Sequence, residues 1–243
     1  MSVDYGIRVS ARARRVRLTL DRLGRPLVVL PVGTPERVAA EMVSRHGGWI
    51  ERHQRRIEQE VLALAARPRL TEGGSLSVLG VERRVLVRAA PGRRRPRVSC
   101  ADEPLPTLVV ELPEGHDQAT AQAAGRALEH WLRRRARVEL ERSVARHAAA
   151  MGLAAPPLSV RDQRTRWGSA SASGRLSFSW RLVLCPPEVR DYVVVHELAH
   201  LRWRGHGPRF WALVRRHAPN ADEHRRWLRR SQRALHAALD QPS

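Results

Sequence analysis

His196, Glu197 and His200 stand in the order His-Glu-x-x-His within the stretch Val195-His196-Glu197-Leu198-Ala199-His200. On an α-helix, residues four apart share a face, so the two imidazoles can converge on one ion. Glu197 follows the first imidazole and projects beside that ion. A carboxylate there can take a proton from a metal-bound water, whose pKa on zinc falls from about 15.7 to about 7. This is the chemistry of a zinc hydrolase working near neutral pH. His206 lies a short loop downstream and supplies a third nitrogen, which leaves one position open for water. Glu223 and His224, on a later helix, are the alternative third ligands.

With 11 His and 24 acidic residues in 243, chance alone gives the pattern in roughly 0.05 of such chains. Its flanks add weight. Tyr192-Val193-Val194-Val195 and Leu198-Ala199 are apolar on nearly every side, as in a buried helix, and polar groups on a buried helix need partners. The two cysteines, Cys100 and Cys185, form no Cys-x-x-Cys pair, so neither a thiolate metal site nor a disulfide framework is indicated.

The elements that must position these residues follow from periodicity. Residues 7 to 31 read as a β-hairpin, with Val16, Leu18 and Leu20 alternating with polar residues before a turn at Leu23-Gly24-Arg25-Pro26. Thr34-Pro35-Glu36 marks a helix start, with Thr34 as the cap. Gly47-Gly48 divides the helical stretch that follows, and His53 on its apolar side is packing. Pro68 and Gly73-Gly74 close this stretch. Strands are expected around Leu76 to Leu79, Val81 to Val87 and Leu108 to Leu112, with residues 91 to 106 a solvated, arginine-rich loop. A long helix is expected from about 118 to 151, with Ala127, Leu128, Trp131, Leu132, Val138, Leu140 and Val144 on its apolar side and an arginine-rich solvated face opposite. A strand from Leu158 and an antiparallel partner carrying Leu176, Phe178 and Trp180 then lead to Pro186-Pro187-Glu188, which opens the His-Glu-x-x-His helix. The expected architecture is α+β, with a β-rich domain over residues 1–115 and a catalytic domain over 116–243.

Arg166-Trp167-Gly168-Ser169, Leu176 to Pro187, Asp191 to Leu201, His206, Arg209-Phe210-Trp211 and Arg226-Trp227-Leu228 together resemble the YgjP-like metallopeptidase family, which is related to the WLM and SprT-like zincins. The likeness extends more loosely to Pro31, Thr34-Pro35, Trp49-Ile50 and Leu79-Gly80. The resemblance implies a zincin-like catalytic domain whose edge strand pairs with an extended peptide. It also implies Zn2+ held by His196, His200 and His206, Glu197 as general base, and Arg166 and Trp167 near the substrate. Ala170 stands where the family usually has Cys, and Pro219-Asn220-Ala221 where it tends to have a Tyr. The His200 to His206 spacing is also that of metzincins. Those enzymes, however, carry Gly where this chain has Trp203, and a later methionine turn. Met1, Met42 and Met151 all lie upstream.

All 44 basic residues are Arg, and the net charge of +20 with a pI near 11.7 favours polyanions. The expected partner is a peptide or protein substrate, with nucleic-acid association as a further expectation. Two other readings fit the same charge: hydrolysis of a nucleotide phosphoanhydride, and a nucleic-acid-binding module or nucleic-acid-associated protease. The N-terminus lacks a signal-like apolar core, and no apolar run reaches the ~18 residues of a membrane span, so a cytoplasmic protein with no membrane partner is expected.

Overall fold

A computed structural model describes residues 4–21, 24–65, 73–114 and 120–239. The chain forms two compact units, residues 1–66 and 67–243.

In the first unit, β3 (Pro26–Pro31) is the central strand, flanked by β1 (Gly6–Ser10) in parallel and β2 (Arg17–Leu20) in antiparallel register. Its middle position explains its continuous apolar run, since both faces lie away from water. The hairpin expected from the sequence is the β2–β3 pair. Helices α1 (Arg37–Arg45) and α2 (Gly47–Ala65) separate just before Gly47-Gly48. The helix begins at Arg37 with no side-chain cap, later than Thr34-Pro35 suggests, because those residues form the preceding turns. Val28, Leu30, Ala39, Val43 and Ile50 make the core. His53 packs on Trp49, its Nδ1 2.8 Å from the Trp49 carbonyl oxygen, as expected of a packing histidine. Pro68 lies outside the described residues.

The described residues of the second unit form two sheets. β4 (Ser75–Val78), β5 (Val81–Ala89), β6 (Arg97–Ala101) and β7 (Thr107–Leu112) run in the order β4-β5-β7-β6. Helix α3 (Thr120–Ala150) follows, and then β8 (Leu158–Arg161), β9 (Gly168–Ala170) and β10 (Leu176–Ser179) in the order β8-β10-β9. A 3-10 helix (Trp180–Leu184), α4 (Pro187–Ala199), α5 (Pro208–His217) and α6 (Ala221–His236) complete it. On α3, Leu128, Leu132, Ala136, Leu140, Val144 and Ala148 recur every four residues and are buried. Val138 points to solvent. The arginine-rich face is solvated, with Arg133–Glu129, Arg135–Glu139 and Arg137–Glu141 pairs one turn apart.

The second unit departs from the sequence reading in its boundary and its strand pairing as well. The proposed boundary at residue 115 cuts through a single core, because Leu76, Val78, Val85, Leu108, Val110 and Leu112 bury against the same cluster as α3 and α4. Residues 97–101, expected in a loop, form strand β6. β8 pairs with β10 in parallel, and only β9 is the antiparallel partner. The β4–β5 hairpin turn has positive φ at Leu79 (55°) and Gly80 (81°), the backbone a two-residue hairpin requires. It docks on the 3-10 helix and the start of α4: the Leu79 N–H donates to the Val183 carbonyl at 2.8 Å, and a Cβ at Gly80 would stand 3.2 Å from Pro187 Cδ. None of the described helices is long and apolar enough to cross a membrane.

Candidate metal centre

Helix α4 starts at Pro187, whose fixed φ suits the first helical position, with Glu188 in the first turn. Val189, Tyr192, Val193, Val194, Val195, Leu198 and Ala199 are buried, so the helix is enclosed on nearly all sides. Asp191 ties it to α3: it accepts from Ser143 Oγ at 2.6 Å and pairs with Arg146 and Arg190. Burial would raise the Asp191 pKa, but hydrogen bonds from His147 and Ser143 and the charges of Arg190 and Arg146 together hold it well below the usual carboxylate range.

Against this fixed helix, the ring nitrogens of His196, His200 and His206 come within 4.8 Å of one another. The Nε2 atoms of His196 and His206 lie 3.2 Å apart. Two nitrogens bound to one tetrahedral ion at about 2.0–2.1 Å would be separated by roughly 3.3 Å, so the spacing fits a metal. His200 Nδ1 is 3.1 Å from the Trp203 carbonyl oxygen. That contact makes Nδ1 the donor and leaves Nε2 bare to ligate. Burial, with the neighbouring His200, His206 and Arg225, holds His196 down at about 3, and burial also lowers His200. Both therefore stay neutral near pH 7 and keep the lone pair that a metal takes.

Packing fixes these rings. Phe210, fully buried on α5, meets the rings of His196, His200 and His206 at centroid distances of 5.0, 4.6 and 4.7 Å. His206 is exposed on a Gly205-His206-Gly207 segment, where the flanking glycines contribute no side chain to hold it. Arg204 supplies the restraint. Its two terminal nitrogens donate to the carbonyls of Ser171 (3.0 Å) and Ala172 (2.9 Å) in the β9–β10 turn, tying the His206 loop across to that hairpin. Arg202 anchors the same loop to the Met151 carbonyl at 2.9 Å.

Glu197 is 7% exposed, and burial pushes its carboxyl up to about 7, opposed in part by the Arg166 charge. It lies under β9, where a Cβ at Gly168 would meet its Cγ at 2.7 Å and its Oε1 at 2.8 Å. Gly168, Ser169, Ala170, His196, Glu197, His200, Arg204 and His206 line a cavity of about 460 Å³.

The structure thus gathers the four residues expected to carry the chemistry. The cluster does not include Glu223 or His224, and the His224 ring packs at 6.1 Å from Tyr192 instead. Arg166 is exposed near Glu197. Trp167 is half-buried and stacks on His236 of α6 at 5.5 Å, which makes packing its visible role. The sequence reading gave no role to Gly168 or Arg204. A glycine within a short strand signals close approach of another group, and that was the available clue for Gly168. A family model described as YgjP-like, metallopeptidase domain, matches residues 14–231.

The chain belongs to the YgjP-like metallopeptidase family. No curated protein and no solved structure matches it. As a YgjP-like metallopeptidase, it is a hydrolase that works through a metal ion, and the His196, His200 and His206 triad can hold one.

Proposed function

We propose that this chain is a zinc-dependent peptidase in which His196, His200 and His206 bind the ion and Glu197 is the general base. The observation that carries this reading is the convergence of three imidazole nitrogens and a buried carboxylate on one cavity bordered by an edge strand. All-nitrogen ligation by neutral imidazoles favours zinc. When bound, zinc supplies Lewis acidity that polarises a carbonyl and acidifies a water.

The chain does the rest. β9 is at the sheet edge, so its free backbone groups can pair with an extended peptide and place a scissile carbonyl over the cavity. Glu197, its proton affinity raised by burial, accepts a proton from the attacking water and passes it to the departing amine nitrogen. The nearby Arg166 charge favours the ionised carboxylate needed for the first of those transfers. Phe210 and the Arg204 tie keep the imidazoles in place throughout.

The test is hydrolysis of an unfolded protein by the purified, zinc-loaded chain, with nucleoside triphosphates as a parallel substrate and Glu197→Gln as the control. Peptide-bond cleavage that Glu197→Gln abolishes is the expected result. Turnover of triphosphates alone, or cleavage indifferent to the Gln change, would overturn it.

A further inference from the structure

The two stretches of chain that supply most of the cavity lining are one-sided in charge. From Gln163 to Pro187, the stretch that forms β9, β10 and their turn, there is no acidic residue, and Arg164, Arg166, Arg175 and Arg181 are all basic. From Leu198 to Ala221, the stretch that carries the second half of the triad and α5, there is again no acid, and Arg202, Arg204, Arg209, Arg215 and Arg216 are basic. Two of these nine are neutralised by acids from elsewhere, Arg181 by Asp162 and Arg215 by Asp222. Glu197 is the sole acid among the residues lining the cavity, and it is buried. Within the cavity lining itself Arg204 carries the one permanent charge, and the exposed Arg166 adds a second positive charge near Glu197.

Two arginines stand at the ends of β9. Arg166 is exposed two residues before Gly168 and acts electrostatically on Glu197. Arg204 lines the cavity and reaches past Ala170 to the Ser171 and Ala172 carbonyls, where its charge is retained although two of its nitrogens are engaged. A peptide pairing antiparallel with β9 would have its N-terminal side toward Arg204 and its C-terminal side toward Arg166. The free strand edge favours a polypeptide over a nucleic acid, because only a peptide backbone completes that ladder.

We propose that the cleft selects polypeptide segments carrying Asp or Glu beside the cleaved bond, with Arg166 and Arg204 as the residues that read the charge. This rests on the peptidase reading above and extends it to a substrate class. Opposite charge at close range orients and retains the chain, while a lysine-bearing segment meets repulsion on both sides.

Binding to the zinc-loaded Glu197→Gln variant tests this without turnover. Fluorescein-labelled unstructured peptides of one length, differing only in Glu, Gln or Lys at four positions, are titrated by anisotropy at low and high salt. The Glu peptide is expected to bind about tenfold or more tighter than the Lys peptide, since two surface ion pairs replace two repulsions. The preference should shrink at high salt and in Arg166→Gln, which leaves the Arg204 tie intact. Equal affinity for Glu and Lys peptides, or a preference that survives Arg166→Gln and Arg204→Gln together, would overturn the proposal. So would tighter binding of a single-stranded oligonucleotide of matched charge that displaces the Glu peptide. A ranked binding series alongside a wild type that cuts none of the peptides would count against the peptidase reading and leave the charge selection standing.

Discussion

The Gly168 α-carbon lies so close to Glu197 that a methyl group on it would stand 2.7 Å from Glu197 Cγ and 2.8 Å from Oε1. Both distances are well inside van der Waals contact, and Glu197 is enclosed by its helix on the other side. The strand that borders the cleft and the carboxylate beneath it are thus fitted to each other at one glycine.

Gly168→Ala should therefore leave a folded protein that binds metal but works poorly. Displacing a reacting group by ~1 Å can cost about 10²-fold in rate. Peptidase kcat/KM, read beside metal content and a thermal melt, separates this from unfolding. An Ala variant with wild-type kcat/KM would mean that Glu197 does not act from the position seen here.

Arg204 should matter for the metal before it matters for substrate. Arg204→Gln removes both donors to the Ser171 and Ala172 carbonyls and frees the glycine-flanked His206. Metal affinity should fall about 10- to 100-fold, as when partners that orient a ligand are lost. His206→Ala should weaken it further. Competition with a chromophoric chelator measures both, and unchanged affinity in the Arg204 variant would remove the tie from the design of the site.

In metal-free protein, Glu197 should make stability depend on pH. Its carboxyl titrates near 7 when folded and near 4.3 when unfolded, so folding favours the neutral form. Stability is lost as pH rises from about 4.3 to about 7, by on the order of 3 kcal/mol from this group. Burial of His196, held at about 3, acts in the opposite sense, and its contribution falls away as pH drops below about 6.5. Glu197→Gln should therefore be more stable than wild type at pH 8 in chelator and nearly equal to it at pH 4. Urea midpoints at the two pH values decide this.

Asp191 should hold the helix pair together at neutral pH. Asp191→Asn breaks its charge interactions with Arg146 and Arg190 and weakens the hydrogen bond from Ser143, and about 2–3 kcal/mol of stability should be lost. Because its folded pKa is depressed, the native contribution is complete above the unfolded value of about 3.9 and fades as pH falls below it. Denaturation of wild type and variant should accordingly differ at pH 7 and converge in strong acid.

The triad and Glu197 were legible because spacing on one helix is a local property, and a histidine six residues on needs only a short loop to return. The four-residue stripe on α3 and the helix break before Gly47 were legible for the same reason. What could not be read was non-local. The parallel pairing of β8 with β10 joins segments separated by a turn, a strand and a loop, and nothing in Leu158 to Arg161 states it. Strand β6 carries one large apolar residue, Val98, because an edge strand needs little burial, so its sequence reads as loop. Arg204 was hidden by composition: among 44 arginines, two hydrogen bonds to carbonyls leave no trace. Trp167 illustrates the reverse case, a conspicuous residue beside the site whose ring is committed to α6.

The β4–β7 sheet shares its core with α3 and the His-Glu-x-x-His helix, and this sets what can be transplanted. The motif-bearing half alone is not a portable module. A fragment beginning near residue 116 would turn Leu128, Leu132 and their neighbours toward water and strip the brace from the Pro186-Pro187 corner, and it should be recovered as aggregate. The smallest piece worth grafting onto another protein starts before β4, so the strands that carry no chemistry must travel with the histidines.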